Sequence, residues 1–175
     1  VLHDRAAGID PSPVHIGRRT MRSVSREVTF SVDVIGHAEL RRVLCRHAER
    51  VGSDLRVANR RARTVTLKLR WNDFRTVTRS RTLAQPTYST RTLASAGADL
   101  LDGVLAQQGR QRVRMIGLAA NNLTGNELQL GFDDAVPKAT VSKAQREEQL
   151  DRTLDAIRNR HGDEAVTRGS RRVFP

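Results

Sequence analysis

Between Ala62 and Leu83 the chain reads ARTVTLKLRWNDFRTVTRSRTL, two extended runs joined at Asn72-Asp73, with cations spaced two apart in each run. In the first run Val65, Leu67, Leu69 and Trp71 alternate with Thr64, Thr66, Lys68 and Arg70, the period of a strand with one dry and one wet face. In the second, Arg75, Arg79 and Arg81 share a parity and are interleaved with Thr76, Thr78 and Ser80, although Val77 falls on the arginine parity. Fixed cations and small hydroxyl donors on a rigid extended support are what a phosphate backbone requires. An ordinary solvated sheet face would look the same, so the ribbon alone leaves both readings open.

Charge favours a polyanion. The 175 residues hold 31 Lys+Arg against 19 Asp+Glu, a formal net charge of +12, and such an excess is the usual footprint of a nucleic-acid partner. The sequence has no apolar run of spanning length and no N-terminal charged-then-apolar signal, which argues against a membrane. Aromatic residues make up only 3% of the chain, too few for a base-stacking platform for single strands or RNA. One cysteine, Cys45, excludes an internal disulfide and fits a reducing, cytoplasmic setting. The five histidines are scattered, without cysteine or carboxylate company at zinc-ligand spacing.

The elements that must position the ribbon follow from period and punctuation. Arg22 to Phe30 is expected to be a strand, with Val24, Val28 and Phe30 on one parity and Arg26 as the exception. A helix from about Val34 to Val51 carries the stripe Leu40, Val43, Leu44, His47, Ala48 and Val51, with Gly52 expected to stop it. A second helix, roughly Ser89 to Gln107, follows the Gln85-Pro86 break, and Gly109 closes it. The last strand, Arg112 to Ala119, sets Arg112 and Arg114 on one parity. The order βαββαβ predicts an α+β fold of the split βαβ type, a four-stranded sheet with two helices on one face. The opposite, open face is the expected nucleic-acid surface, with Arg79 and Arg81 on it. Residues 1–21 read as a linker, 22–120 as the DNA-binding domain, 121–141 as a tether and 142–175 as a helical extension. The extension's helix, Lys143 to Arg160, has Ser142 and Gln145 placed as a capping box, a narrow stripe of Leu150, Leu154 and Ile157, and Gly162 as its stop.

These signatures together resemble the C-terminal little finger domain of Y-family translesion DNA polymerases of the bacterial polymerase IV type. The opening strand RSVSREVTF, the ribbon TVTLKLRWNDFRTVTRSRTL, the strand VRMIGL, the linker AAGIDPSPV and the tail LDAIRNRHGDEAV occur in the family's order. The resemblance implies a grip on the template–primer duplex through phosphates. It implies backbone-side contacts at Ser23, Val24, Ser25 and Arg26, template-strand contacts at Thr78, Arg79 and Arg81, and a cation at Arg114. Arg22 stands in for the family's usual Lys and Ser25 for its usual Gly. With the ribbon and strand cations Lys68, Arg70, Arg75 and Arg112, these complete the candidate DNA-binding set.

A second element, Glu127-Leu128-Gln129-Leu130-Gly131-Phe132, resembles the family's sliding-clamp-binding peptide, with Glu127 where Gln is typical and Leu128, Leu130 and Phe132 as its apolar plugs. A hydrophobic tether packed on the domain is the competing reading. Asp33, Asp54, Asp73, Asp99 and Asp102 are dispersed, without the convergence that two-metal chemistry needs. The chain, opening at Val1 in what reads as mid-linker, is therefore expected to bind DNA without catalysis or cofactor. It would be a piece of a polymerase whose palm uses Mg²⁺, acting in repair and damage tolerance of the SOS-response kind. A catalytically inactive family member serving as an adaptor, and an RNA-binding βαββαβ domain, are the alternatives.

Overall fold

In a computed structural model the described residues are 3, 6–9, 21–108, 111–125, 143–162 and 165–166. Their elements run β1 (Ser23–Val34), α1 (His37–Val57), β2 (Arg60–Trp71), β3 (Thr76–Thr87), α2 (Thr90–Gln108), β4 (Val113–Gly125) and α3 (Lys143–His161). The sheet has the order β1-β4-β2-β3 with every neighbouring pair antiparallel. β4 thus sits between two strands parallel to one another, the split βαβ arrangement expected from the element order.

The alternation of β2 does what its period demands. Val65, Leu67, Leu69 and Trp71 are sealed in the core with Ile116, Leu118 and Ala120 of β4. Onto that face pack Leu40, Val43, Leu44, Ala48, Val51 and Leu55 of α1 and Leu93, Ala96, Leu101 and Val104 of α2. Both helices therefore dry one side of the sheet.

Several boundaries differ from the sequence expectation. β1 continues through Val32 and Val34, since β-branched residues suit an extended backbone, and α1 begins only at His37. Gly52 does not end α1 but lies inside it. A Cβ there would stand 2.9 Å from Thr90 Oγ1 and 3.2 Å from the Tyr88 carbonyl oxygen, so the glycine lets the start of α2 lie close against α1. The stop comes at Asn59, in the left-handed region at φ 51°, a conformation asparagine tolerates. β4 runs on to Gly125, past the expected domain end at residue 120.

α3 docks on the domain, which the sequence left open, and it does so through charge. Arg56, with a side chain only 7% exposed, makes a bidentate pair with Asp155 at 2.6 and 3.0 Å and approaches Asp151 at 3.5 Å. Arg61 meets Glu148 at 2.9 Å and Arg158 meets Glu49 at 3.1 Å. Of the expected apolar stripe Leu154 is buried, Ile157 is half-buried and Leu150 is exposed. Gly162 does end the helix, at φ 91° with its N–H donating to the Arg158 carbonyl. Ser142 of the expected capping box lies outside the described residues, as do Gly109 and the peptide 127–132.

Candidate nucleic-acid interface

Register decides what each face of the sheet displays, because directly opposed residues share a face. Lys68 pairs across to Thr78 and Gly117, Arg70 to Thr76 and Met115, and Thr66 to Ser80 and Ala119. Ser25, Glu27 and Thr29 of β1 continue the same rows. The face away from the helices therefore carries Lys68, Arg70, Thr66, Thr76, Thr78, Ser80, Ser25, Glu27 and Thr29. The valley between its ridges is floored by the small residues Gly117 and Ala119.

Hydroxyls and amides order this surface. Thr66 and Ser80 share a hydrogen bond at 2.8 Å, Asn121 Nδ2 donates to Thr66 Oγ1 at 2.9 Å, and Arg70 Nε donates to Thr76 Oγ1 at 3.1 Å. Lys68 Nζ donates to both carboxylate oxygens of Glu27 at 3.2 Å. Side chains held by their neighbours lose less freedom when a ligand arrives.

The same register corrects the placement of the arginines. Arg79 opposes Leu67 and Arg81 opposes Val65, so both project on the helix side of the sheet and not on its open face. They stay exposed because β3 is an edge strand and they overhang the core. Arg81 reaches α2 and pairs with Asp99 at 2.6 Å. Arg79 donates to the carbonyl of Thr78 and meets no carboxylate among the described residues. Arg26 is likewise on the helix side, on the parity of Val24 and Val28, and pairs with Asp54 of α1. Val24 is buried, so only its backbone is available to a ligand. Arg22 and Ser23 are exposed at the other end of β1.

The remaining candidates gather at the hairpin end. The connection is Asn72, Asp73 and Phe74, closed by Trp71 N–H to the Arg75 carbonyl at 3.0 Å and by Phe74 N–H to the Trp71 carbonyl. Asp73 Oδ1 accepts the Arg75 N–H at 2.9 Å. Phe74 sits at φ 66°, costly for a bulky residue. The Arg114 guanidinium stacks over its ring at 4.9 Å and so offsets part of that cost. Arg114 also approaches Asp33 at 3.8 Å, Arg75 donates to Gln111, and Arg112 is exposed. Thr78 was among the sequence candidates, whereas Thr66, Thr76, Ser80 and Asn121, which the structure orders beside it, were not. The signal for Thr66, Thr76 and Ser80 was the even parity shared by β2 and β3, and Asn121 joins them from β4 only through sheet register.

A cleft of about 720 Å³ lies elsewhere, between β1, α1 and α3, lined by Arg26, His47, Glu49, Asp54, Asp155 and Arg158 among others. Its arginines and acids are largely tied to one another or to Arg56. Buried His47 borders it, with burial as the main cause pushing the imidazole pKa down. As for Mg²⁺, the carboxylates Asp33, Asp54, Asp99 and Asp102 each face an arginine or histidine. No three potential ligands converge among the described residues, so the donor set there does not fit a metal pair. Among the described residues no helix is long and apolar enough to cross a membrane.

Comparison with known proteins covers this surface. The model of the impB/mucB/samB family C-terminal domain matches residues 21–132. The DNA polymerase IV of Dehalococcoides mccartyi is 36% identical over 168 residues, 96% of this chain and 40% of that protein. The DNA polymerase IV of Methanoculleus marisnigri is 40% identical over 124 residues, 71% of this chain and 33% of that one. The chain thus spans about 40% of the length of the first curated relatives it matches. Among solved structures, the insertion ternary complex of Dbh DNA polymerase aligns with a TM-score of 0.55 at 18% identity, over 71% of this chain and 35% of that one. DinB from Sulfolobus solfataricus aligns at 0.53 and 17%, over 59% of this chain and 29% of that one. At such identities the likeness is one of fold.

Proposed function

The chain belongs to the impB/mucB/samB C-terminal domain family, and from that premise we propose that it is the little finger of a Y-family translesion polymerase, gripping template–primer duplex through backbone phosphates. The observation that carries the proposal is the ordered polar face, on which Lys68 and Arg70 stand in register with Thr78 and Thr76, beside the Thr66–Ser80 pair. Cations set the attraction and neutral donors set the position, and neither reads a base edge. Arg79 and Arg81 extend the grip around the rim of β3, so one backbone strand running along that edge meets hydroxyls on one side and guanidinium groups on the other. Arg22, Ser23 and Ser25 engage the backbone at the start of β1, and Arg75, Arg112 and Arg114 at the hairpin end.

The parent enzyme, in this reading, is a Mg²⁺-dependent DNA polymerase acting on damaged template in damage tolerance, with catalysis outside this chain. Residues 127–132 supply a weak sliding-clamp contact through Leu128, Leu130 and Phe132, with Glu127 in the orienting place.

The test is duplex binding by the whole chain against salt. With about five phosphates neutralised, log K falls against log[salt] with a slope of about −4 to −5. Alanine at Lys68 and Arg70 together should flatten that slope by nearly two units. A strong preference for one DNA sequence, or affinity indifferent to salt, would rule the proposal out.

A further inference from the structure

The open face contains its own competitor for phosphate. Glu27 lies in the same row as Lys68, two strands away, with Gly117 of β4 between them. Its carboxylate spans that gap and takes two hydrogen bonds from Lys68 Nζ, both at 3.2 Å. The span is possible only because Gly117 has no side chain, since a Cβ there would sit 2.6 Å from Glu27 Cγ and 3.2 Å from Glu27 Cδ. Glu27 is the acid of this face between Ser25 and Thr29, and it engages one of the two cations set in the β2 row.

We propose that Glu27 is a resident stand-in for a phosphate group, holding Lys68 in a contact-ready geometry and lowering the affinity of the face for DNA. This deepens the duplex-gripping reading and rests on it. A backbone phosphate that reaches Lys68 competes with the carboxylate for its N–H donors, and it is repelled by that carboxylate while approaching. The pair is partly exposed, with side chains 37% and 42% accessible, so the exchange is shallow. The consequence is a grip that is positioned but weak, and that exchanges readily from one phosphate to the next. Gly117 is the positioning residue of the device, because the emptiness above it lets the two charges meet.

Two substitutions on different strands test the same idea. Glu27→Gln keeps shape and removes charge. In fluorescence anisotropy with a labelled mixed-sequence duplex at low salt, the full chain carrying it should bind about three- to fivefold tighter, the scale of an exposed ion pair. Its salt slope should change little, because Lys68 meets one phosphate in both proteins. Gly117→Ala should also tighten binding by pushing Glu27 off Lys68, and combining the two should add little beyond either alone. If Glu27→Gln binds no tighter while Lys68→Ala still weakens binding, the stand-in role is overturned and the DNA-binding face survives. If Lys68→Ala and Arg70→Ala leave binding intact, the reading of the face itself falls. Should Gly117→Ala fail to fold, Glu27→Gln, which keeps the side chain's shape at a partly exposed position, decides the matter alone.

Discussion

Asp151 Oδ2 accepts the backbone N–H of Thr90 at 3.0 Å, so the first residue of α2 is capped by a side chain from α3, 61 residues further along. The cap is buried, with Asp151 only 1% exposed and the Arg56 guanidinium 3.5 Å away. A free N-terminal amide of a helix is thereby satisfied in a place water does not reach.

Removing that carboxylate costs both a cap and half of a buried ion pair. Asp151→Ala should destabilise the chain by about 2–4 kcal/mol, and Asp151→Asn, which keeps an acceptor, by less. Urea unfolding measures both. Hydrogen exchange should quicken first in α3 and the opening turn of α2. Equal protection in the two variants and the parent would refute the capping role.

Two glycines inside helices should respond with opposite signs. Gly52→Ala forces a methyl against Thr90 and the Tyr88 carbonyl, and overpacking of that kind costs about 1–3 kcal/mol. Gly103 in α2 is exposed, and a methyl added there would meet nothing within 4 Å, so Gly103→Ala should gain about 0.5–1 kcal/mol from helix propensity. Thermal melts of the pair side by side decide it.

His47 gives stability an acid limb. Burial, followed by the charges of Arg46, Arg50 and Arg26, lowers its pKa from the ordinary 6.5, although a bond with the Ile116 backbone works the other way. The unfolded chain therefore takes up this proton at a higher pH than the folded one. The His47 contribution is full above pH 6.5 and is lost as pH falls through 6.5 toward the lowered folded value. Midpoint denaturant concentrations from pH 8 down to 5 should show the decline, and His47→Gln should flatten it.

Arg79 and Arg81 differ in what already holds them. Arg81 is engaged by Asp99 at 2.6 Å, whereas Arg79 donates only to a backbone carbonyl among the described contacts. If the rim of β3 meets DNA, Arg79→Ala should weaken duplex binding by about fivefold, and Arg81→Ala by less, since its charge is partly spent within the chain. Both variants should unfold cooperatively, as exposed positions do. The ranking is read from paired titrations at one salt concentration.

The strand and helix order was legible because β2 alternates cleanly and α1 carries an unbroken stripe. The fold class, the single-sided helices and the wet face all follow from those two patterns. The side to which the β3 arginines turn was not legible. It depends on how many residues the hairpin connection uses, and the third of them is Phe74 in a left-handed conformation that nothing in its chemistry announces. Gly52 read as a stop because a glycine that permits close helix contact and one that ends a helix look alike in one dimension. The docking of α3 was hidden for another reason. Its narrow apolar stripe left docking undecided, while its acids find Arg56, Arg61 and Arg91, on α1, β2 and α2, through contacts made only after the chain has folded back.

That mode of attachment sets how α3 responds to heat and cold. Apolar docking weakens on cooling and leaves a large heat-capacity change when it comes apart. Leu154 is the one buried hydrophobic residue of α3 among those described, so detaching the helix uncovers little of its own oily surface and adds little to the heat capacity of unfolding. Ion pairs, in contrast, cost less to desolvate as temperature rises. The helix should therefore hold nearly evenly from cold to warm, its stability curve much flatter than that of the sheet it leans on.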